Sequence, residues 1–446
     1  MTKRYLGNII TQNPTAPTGN AANGVWSLAE VTAYKKATAW PTLPEAATIG
    51  TATDSETGGK IEVAFTPPAE LYGGTISQYT ATSSPGSITG NSTSSPTTVS
   101  GLTNGTSYTF TVSATTGAGT GPLSSASNSV APSQADRGIF MAGQVLGGSY
   151  ATNTIDYINI KSSGNATDFG NLSEVRGGGG AAASSTRALC MGGGDIFGAG
   201  GSVNYSARID YVTISTTGNS SIFGNLTASR RSQMGGLSNS TRGCQMFAQN
   251  SNGSYSGFIE YVTIATTGNA ANFGELSETI ANSAACFASP TRGVFCGGNL
   301  SNNSLRNQIE YITIASTGNS TDFGDLASAS YRMGGTSSDT RGLATIYTNS
   351  DYNSGYIQYV TIASTGNATT FGNLSNPGGS YKSSYCSATS NNTTAVIHEG
   401  YNNSAGGLNV VSSVTIASTG NAADFGDLTV ARFMSTANSG THGGLQ

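Results

Sequence analysis

The two histidines, His398 and His442, are the first place to look for chemistry, since imidazole is the usual general base and metal ligand near neutral pH. They fall in different stretches of the chain. Neither has a carboxylate or cysteine at the spacing of a metal-ligand set or a catalytic triad. Arg137, Arg187, Arg242, Arg292 and Arg341 recur at regular intervals, and converging guanidinium groups could clamp a carboxylate. Their return in one copy after another of a repeat reads instead as structural. Asp168, Glu275, Asp322, Asp325, Asp424 and Asp427 recur likewise, are expected at equivalent turns, and do not make an acid/base pair. The cysteines are Cys190, Cys244, Cys286, Cys296 and Cys386, an odd number with no CxxC spacing. Cys190, Cys244 and Cys296 occupy one strand position of successive repeats, which predicts buried small hydrophobes rather than disulfides. The expectation is a protein that is not an enzyme and has no metal and no cofactor.

A surface offers more than any of these groups. Ser/Asn/Gly-rich loops recur along the chain, and five carry a tyrosine: Tyr150, Tyr205, Tyr255, Tyr352 and Tyr401. A sixth, SNNSLRN, has Leu305 instead. Tyrosine rings beside amide groups suit a carbohydrate or a flat protein surface, because they offer area at low entropic cost. The same tyrosines could simply pack across their own hairpins.

The elements that must position these loops follow from composition and period. Of 446 residues only 9% are charged, 61 are Gly, and 20 Tyr and 15 Phe stand at regular intervals, which reads as an all-β, turn-rich chain rather than a disordered one. A net charge of -4 gives no reason to expect nucleic acid as a partner. No apolar run approaches the length that spans a bilayer, so no membrane insertion and no secretion signal are expected. The string GN-x-x-x-FG recurs with its Phe at 169, 223, 273, 323, 371 and 425. Ahead of it runs a strand such as IEYVTIATTGN, with Tyr157, Tyr211, Tyr261, Tyr311 and Tyr359 in register and Ser413 in the last copy. Further upstream stands the Arg, replaced by Thr394 in the sixth copy, and a Gly pair often closes that strand, as in RGVFCGG. A period near 50 residues with four short β segments fits a propeller blade. In the third copy the strands are read at Arg242 to Ala248, Phe258 to Ala265, Phe273 to Leu276 and Ala281 to Ala288. Alternation puts Ile259, Tyr261 and Thr263 on one face and Glu260, Val262 and Ile264 on the other, as for a strand buried between two sheets.

This repeat resembles that of kelch-type propellers, through Gly297 and Gly298, Tyr311, Phe323 in place of the usual Trp, and Arg332. The resemblance implies a six-bladed β-propeller over residues 134–446 and is silent on function. The copper ligands of some kelch-type oxidases cannot be assembled around an isolated His398. Ring closure is expected by pairing the first copy, near Arg137, with a final strand at Ala431 to Asn438.

Residues 45–133 resemble a fibronectin type III domain through KIEVAFTPP, with Phe65 where a Trp is usual, GGTISQYTAT with Tyr79, and GLTNGTSYTFTVSATTGAG. Leu102 followed by Tyr108 looks like the tyrosine corner of that sandwich. Residues 1–44 hold one expected helix, started by a capping box of Ser27 and Glu30 with Trp26 and Val31 as staple, running to about Ala37 and stopping near Trp40-Pro41. With the extended stretch before it, this segment resembles the N-termini of virion structural proteins of marine tailed phages. That resemblance implies a docking element, with Trp26, Leu28, Val31, Tyr34 and Trp40 as its contacts to other virion proteins. The whole chain then reads as an external appendage of the virion that displays its propeller for host attachment, to surface glycan or protein. A structural decoration or connector with no host ligand is the alternative, a glycan-active enzyme a weaker one. Homo-oligomerisation is open, since such an anchor can trimerise or bind singly to a larger ring.

Overall fold

The computed structural model describes residues 27–36, 42–55, 58–71, 74–103, 105–132, 136–145, 151–195, 204–230, 235–246, 256–282, 284–300, 302, 304–348, 355–375, 383–402 and 406–440. The chain is all-β apart from one helix among these residues, and divides into two compact units, Met1–Ala135 and Asp136–Gln446. In the first unit, Thr48–Asp54, Lys60–Thr66 and Thr97–Ser100 make one antiparallel sheet, and Thr89–Ser92, Ile76–Ser84, Thr109–Thr116 and Gly119–Thr120 the other. Alternating inward residues, among them Ile61, Val63, Phe65, Tyr79, Phe110 and Val112, form its core. The Phe65 and Tyr79 rings meet at 4.6 Å. The Thr103 N–H donates to the Tyr108 phenol oxygen at 3.1 Å, the corner that the Leu102–Tyr108 spacing predicts.

The helix Leu28–Lys36 starts as its sequence dictates. The Glu30 N–H donates to Ser27 Oγ at 3.2 Å and the Ser27 N–H donates to Glu30 Oε2 at 2.8 Å, satisfying two otherwise orphaned amides.

The second unit consists of six antiparallel sheets. Sheets II to VI begin with the inner strands Gly180–Ala183, Gly236–Ser238, Ala285–Ala288, Gly335–Ser337 and Ser387–Ser390, and each continues outward through the Arg-led strand, the Tyr strand and the Phe strand of one repeat. Sheet I is completed from both ends of the unit: Thr436–Ser439 pairs with Arg137–Met141, in the register Ala437 to Phe140. This is the closing pairing expected from the sequence, with the last strand shorter than Ala431 to Asn438. One assignment within the repeat is corrected. Ala285–Ala288, read as the fourth strand of the third copy, pairs with Arg292–Cys296 and is the inner strand of sheet IV. The inner strands touch in cyclic order, Gly180–Ala183 through to Ser387–Ser390 and then Thr436–Ser439, which returns to Gly180–Ala183. Six separate apolar clusters fill the six spaces between consecutive sheets, the sixth joining Val396, Val411 and Phe425 of sheet VI to Phe140 and Ile158 of sheet I.

The repeat string now has a physical meaning. In each GN-x-x-x-FG the Gly N–H donates to the Phe carbonyl of the preceding sheet: Gly218 to Phe169, Gly268 to Phe223, Gly318 to Phe273, Gly366 to Phe323, Gly420 to Phe371 and, across the closure, Gly164 to Phe425. The Asn that follows accepts, through Oδ1, the backbone N–H two residues past that Phe, as in Glu275 to Asn319 at 3.1 Å and Asp427 to Asn165 at 3.1 Å. The Gly of FG permits this approach. A Cβ at Gly274 would lie 2.1 Å from the Gly318 carbonyl oxygen, and one at Gly426 would lie 2.3 Å from that of Gly164.

The recurring arginines are ties of the same kind. Arg292 lies 4.3 Å from the centre of the Tyr311 ring and donates through Nη1 to the Ile362 carbonyl of the next sheet at 2.8 Å. Arg137, Arg187, Arg242 and Arg341 repeat both contacts, with Tyr157, Tyr211, Tyr261 and Tyr359 and the carbonyls of Ile214, Ile264, Ile314 and Ile416. Those tyrosines meet their repeat Phe edge-on at about 6 Å. Sheet VI lacks Arg and Tyr together and is tied to sheet I instead by Asn391 Nδ2 donating to Asp136 Oδ2 at 3.0 Å. The recurring carboxylates expected at turns stand in the outermost strands, for example Asp322 and Asp325 in Thr321–Asp325, where they face solvent. Alternation turns Asp322 away from the buried Phe323, and the register irregularity at Phe323 turns Asp325 outward as well.

Candidate functional site

Antiparallel order places the loop after each Arg-led strand and the link from each outer strand to the next inner strand at the same end of the sheets. The GN turns lie at the opposite end. Of the loop tyrosines, Tyr150, Tyr255 and Tyr352 lie outside the described residues. Tyr205 sits half-buried at the start of Asn204–Thr213, opposite Gly194. Tyr401, also half-buried, sits in the short strand Tyr401–Asn402, with its ring 5.1 Å from that of Phe433 and 6.4 Å from that of Tyr385.

Tyr401 belongs to a larger group assembled from three successive links. The link from sheet IV to V supplies Tyr331 and Arg332, that from V to VI supplies Tyr385, and that from VI to I supplies Phe433. Tyr347, just past Arg341–Ile346, is fixed through its N–H donating to Ser330 Oγ at 2.9 Å. The guanidinium of Arg332 lies 4.7 Å from the Tyr331 ring centre, 4.5 Å from that of Tyr385 and 5.8 Å from that of Tyr347. Phe433 is buried and the five other side chains are partly exposed. The result is an arc of aromatic surface with a cation within it.

The backbone beneath the arc is in a conformation that side chains avoid. Register equates Gly178, Arg332, Tyr385 and Met434, each just ahead of an inner strand at the end of its link, and their φ angles are 67°, 56°, 54° and 55°. Glycine adopts this left-handed form freely, whereas other residues lose roughly 1–2 kcal/mol there. Sheet II uses the glycine, and the arc keeps large side chains at that cost. The chain is held there by the Tyr385 N–H donating to the Arg332 carbonyl at 2.7 Å and the Gly178 N–H to that of Met434 at 2.7 Å.

Elsewhere at this end buried carboxylates hold the links. Asp156, Asp210, Glu260 and Glu310 are buried on the Tyr strands, and each holds the link leaving the preceding sheet, as in the Ser277 N–H donating to Glu310 Oε1 at 3.0 Å. Buried arginines neutralise three of them: Arg432 with Asp156 at 3.0 Å, Arg176 with Asp210 at 2.8 Å and Arg306 with Glu310 at 2.5 Å. Burial pushes the Glu310 carboxyl up, but hydrogen bonds from Arg306 and Ser277 outweigh it and hold the group below the usual carboxylate range. In sheet V the acid position holds Gln358, and the position equivalent to Arg176 and Arg432 holds Ser330, so charge is lost in both partners at once. The arc occupies the sector where these ion pairs stop. The loop tyrosines were legible in the sequence, whereas Tyr331, Arg332, Tyr347, Tyr385 and Phe433 were missed as candidates. For Tyr331, Arg332 and Phe433 the signal was an aromatic or Arg at a matching distance beyond the repeat Phe; the longer link of the fifth copy displaces Tyr385, and Tyr347, beyond the next Arg-led strand, carried no such signal.

His398 is buried and its pKa is lowered by burial to about 4. Its Nε2 donates to the Leu408 carbonyl at 2.9 Å, and Nδ1 stands 3.0 Å from Ser435 Oγ. That is a satisfied neutral core imidazole with no carboxylate to orient it as a base. His442 lies outside the described residues. All five cysteines are free and buried, and burial pushes Cys244 and Cys386 up to about 12. The described residues contain no group of three or more His, Cys, Asp or Glu able to hold a metal, and no helix long and apolar enough to cross a membrane. A cavity of about 70 Å³ between the inner strands is lined by small groups such as Gly179, Ala181, Gly335, Cys386 and Ala437. It has room for a few waters and for no larger ligand.

At the N-terminus, Leu28 is 83% exposed while Val31 and Tyr34 are half-buried, and Trp26 and Trp40 lie outside the described residues. Residues 46–130 match the family model of the fibronectin type III domain. No curated protein matches the chain significantly.

Proposed function

We propose that residues 136–446 form a six-bladed β-propeller of kelch type whose aromatic end is a binding face for carbohydrate. In this reading the chain is an external appendage of a tailed-phage virion. Its N-terminal segment docks onto other virion proteins, the fibronectin type III domain acts as spacer, and the propeller meets the host surface. The complete belt of GN to FG hydrogen bonds, with its closure from Gly164 to Phe425, supports the propeller. Virion docking rests on the resemblance of the N-terminal segment and on a capped helix that leaves Leu28 in water.

The observation that carries the binding role is the arc from Tyr331 to Phe433. Tyrosine rings at the mouth of a rigid scaffold offer the apolar faces of sugar rings a flat partner, with phenol groups at the edge for hydroxyls. The position is not needed for folding, since sheet II builds the same link with Gly178. The test is a glycan array probed with the full chain and with a Tyr385→Ala, Tyr401→Ala variant. Binding to a defined set of glycans that the variant loses, at unchanged thermal stability, is the expected result. An array with no binding by the parent chain contradicts the attachment role and leaves a decoration without host ligand.

A further inference from the structure

Every arginine at the aromatic end whose side chain is described, other than Arg332, faces a carboxylate. Arg176 pairs with Asp210, Arg208 with Glu174, Arg306 with Glu310 and Arg432 with Asp156. Arg332 has no such partner among the described residues, and its Nε is buried without a hydrogen bond. Its company is aromatic: Tyr331, Tyr385 and Tyr347, all within 6 Å of the guanidinium carbon. At the position where four sheets carry Asp156, Asp210, Glu260 and Glu310, sheet V has Gln358 and sheet VI Ser412. The buried carboxylate of this sector, Glu399, accepts from Ser375 and Ser383 and makes no ion pair with Arg332.

We infer that the saccharide taken by this face carries a carboxylate, and that Arg332 holds that carboxylate while the flanking tyrosines take the sugar ring. This rests on the binding-face reading above. The guanidinium presents donors in a planar fork that matches a carboxylate, and stacking on aromatic rings holds the fork in place without neutralising it. An unpaired cation in the middle of an aromatic platform would repel a cationic ligand, and a neutral sugar would give it single hydroxyl acceptors where a carboxylate accepts from the fork in two parallel, charge-assisted bonds. A uronic acid residue meets both halves of the site. The backbone agrees: a residue held at φ 56° where Gly178 shows that glycine suffices is retained for its side chain.

The experiment is calorimetric titration of the full chain with trigalacturonic acid, with its methyl ester and with a sulfated galactose trisaccharide, on the parent, Arg332→Gly and Arg332→Lys. The acid is expected to bind, the methyl ester and Arg332→Gly each to weaken binding tenfold or more, and Arg332→Lys to fall between. Glycine fits the left-handed backbone, so the melting temperature of Arg332→Gly should not fall. Equal binding of acid and ester, or acid binding that survives in Arg332→Gly, overturns the role of Arg332 and leaves the aromatic face standing. Preference for the sulfated sugar overturns the carboxylate. A large fall in melting temperature with equal loss of acid and ester binding makes Arg332 a structural pin and also overturns it. If no saccharide binds the parent, here or on the glycan array, this inference falls together with the face.

Discussion

Gly274→Ala tests the belt that joins the sheets. The added Cβ would sit 2.1 Å from the Gly318 carbonyl oxygen, about 1 Å inside contact distance. Neither strand can yield freely, because two hydrogen bonds flank the point: Gly318 N–H to the Phe273 carbonyl at 2.8 Å and Glu275 N–H to Asn319 Oδ1 at 3.1 Å. Overpacking costs about 1–3 kcal/mol, and weakening two bonds adds about 1 kcal/mol. The sum, about 3 kcal/mol, corresponds to a fall of about 5 °C in melting temperature for a unit of this size. The control is Gly268→Ala in the same motif, where a Cβ would meet nothing within 4 Å. Its φ lies outside the left-handed range that side chains avoid, so that change should be neutral or stabilising by about 0.5 kcal/mol. Differential scanning calorimetry of the full chain reads both, with the fibronectin type III transition as internal reference. Equal melting temperatures for the two variants would refute the close-approach argument.

Arg292→Ala removes a cation from the Tyr311 ring and a bond to the Ile362 carbonyl, and should destabilise the second unit by about 1–2 kcal/mol in chemical denaturation. Glu310 has a folded pKa below its unfolded one, so its contribution is complete at neutral pH and lost as pH falls through the carboxylate range; Glu310→Gln should flatten that decline. His398 is held neutral down to about pH 4, below its unfolded value, so stability should also drop as pH falls from about 6.5, and His398→Gln should remove that part of the melting-temperature profile. The five buried thiols should resist alkylation in the native chain and react together only on unfolding; one fast thiol would contradict their burial.

The repeat was legible because its contacts are periodic. The Phe of each copy packs inward, the Tyr strand alternates between two sheet interfaces, and the Ser27–Glu30 box started a helix where it should. What the Asn and second Gly of the motif do was not legible, since each acts on the neighbouring copy about 50 residues away. The loss of Arg at Thr394 and of Tyr at Ser413 read as two separate breaks. The structure makes them one, because the two residues form a single stacked tie elsewhere. Strand four was assigned to the wrong sheet for a related reason: a repeat has the same period wherever it is cut. The aromatic arc escaped because Arg332, Tyr385 and Phe433 meet only once successive links are brought to one end of the sheets. The buried acids of the Tyr strands were visible only as charges in apolar runs of a chain with 9% charged residues.

Hydrogen–deuterium exchange of the full chain, with and without a glycan selected on the array, tests the central claim most directly. Protection should concentrate in residues 330–347, 384–402 and around Phe433, where the three links and Tyr401 converge. Protection of the GN turns or of the hairpins that end at Arg187, Arg292 and Arg341 would put the ligand at the opposite end and contradict the account.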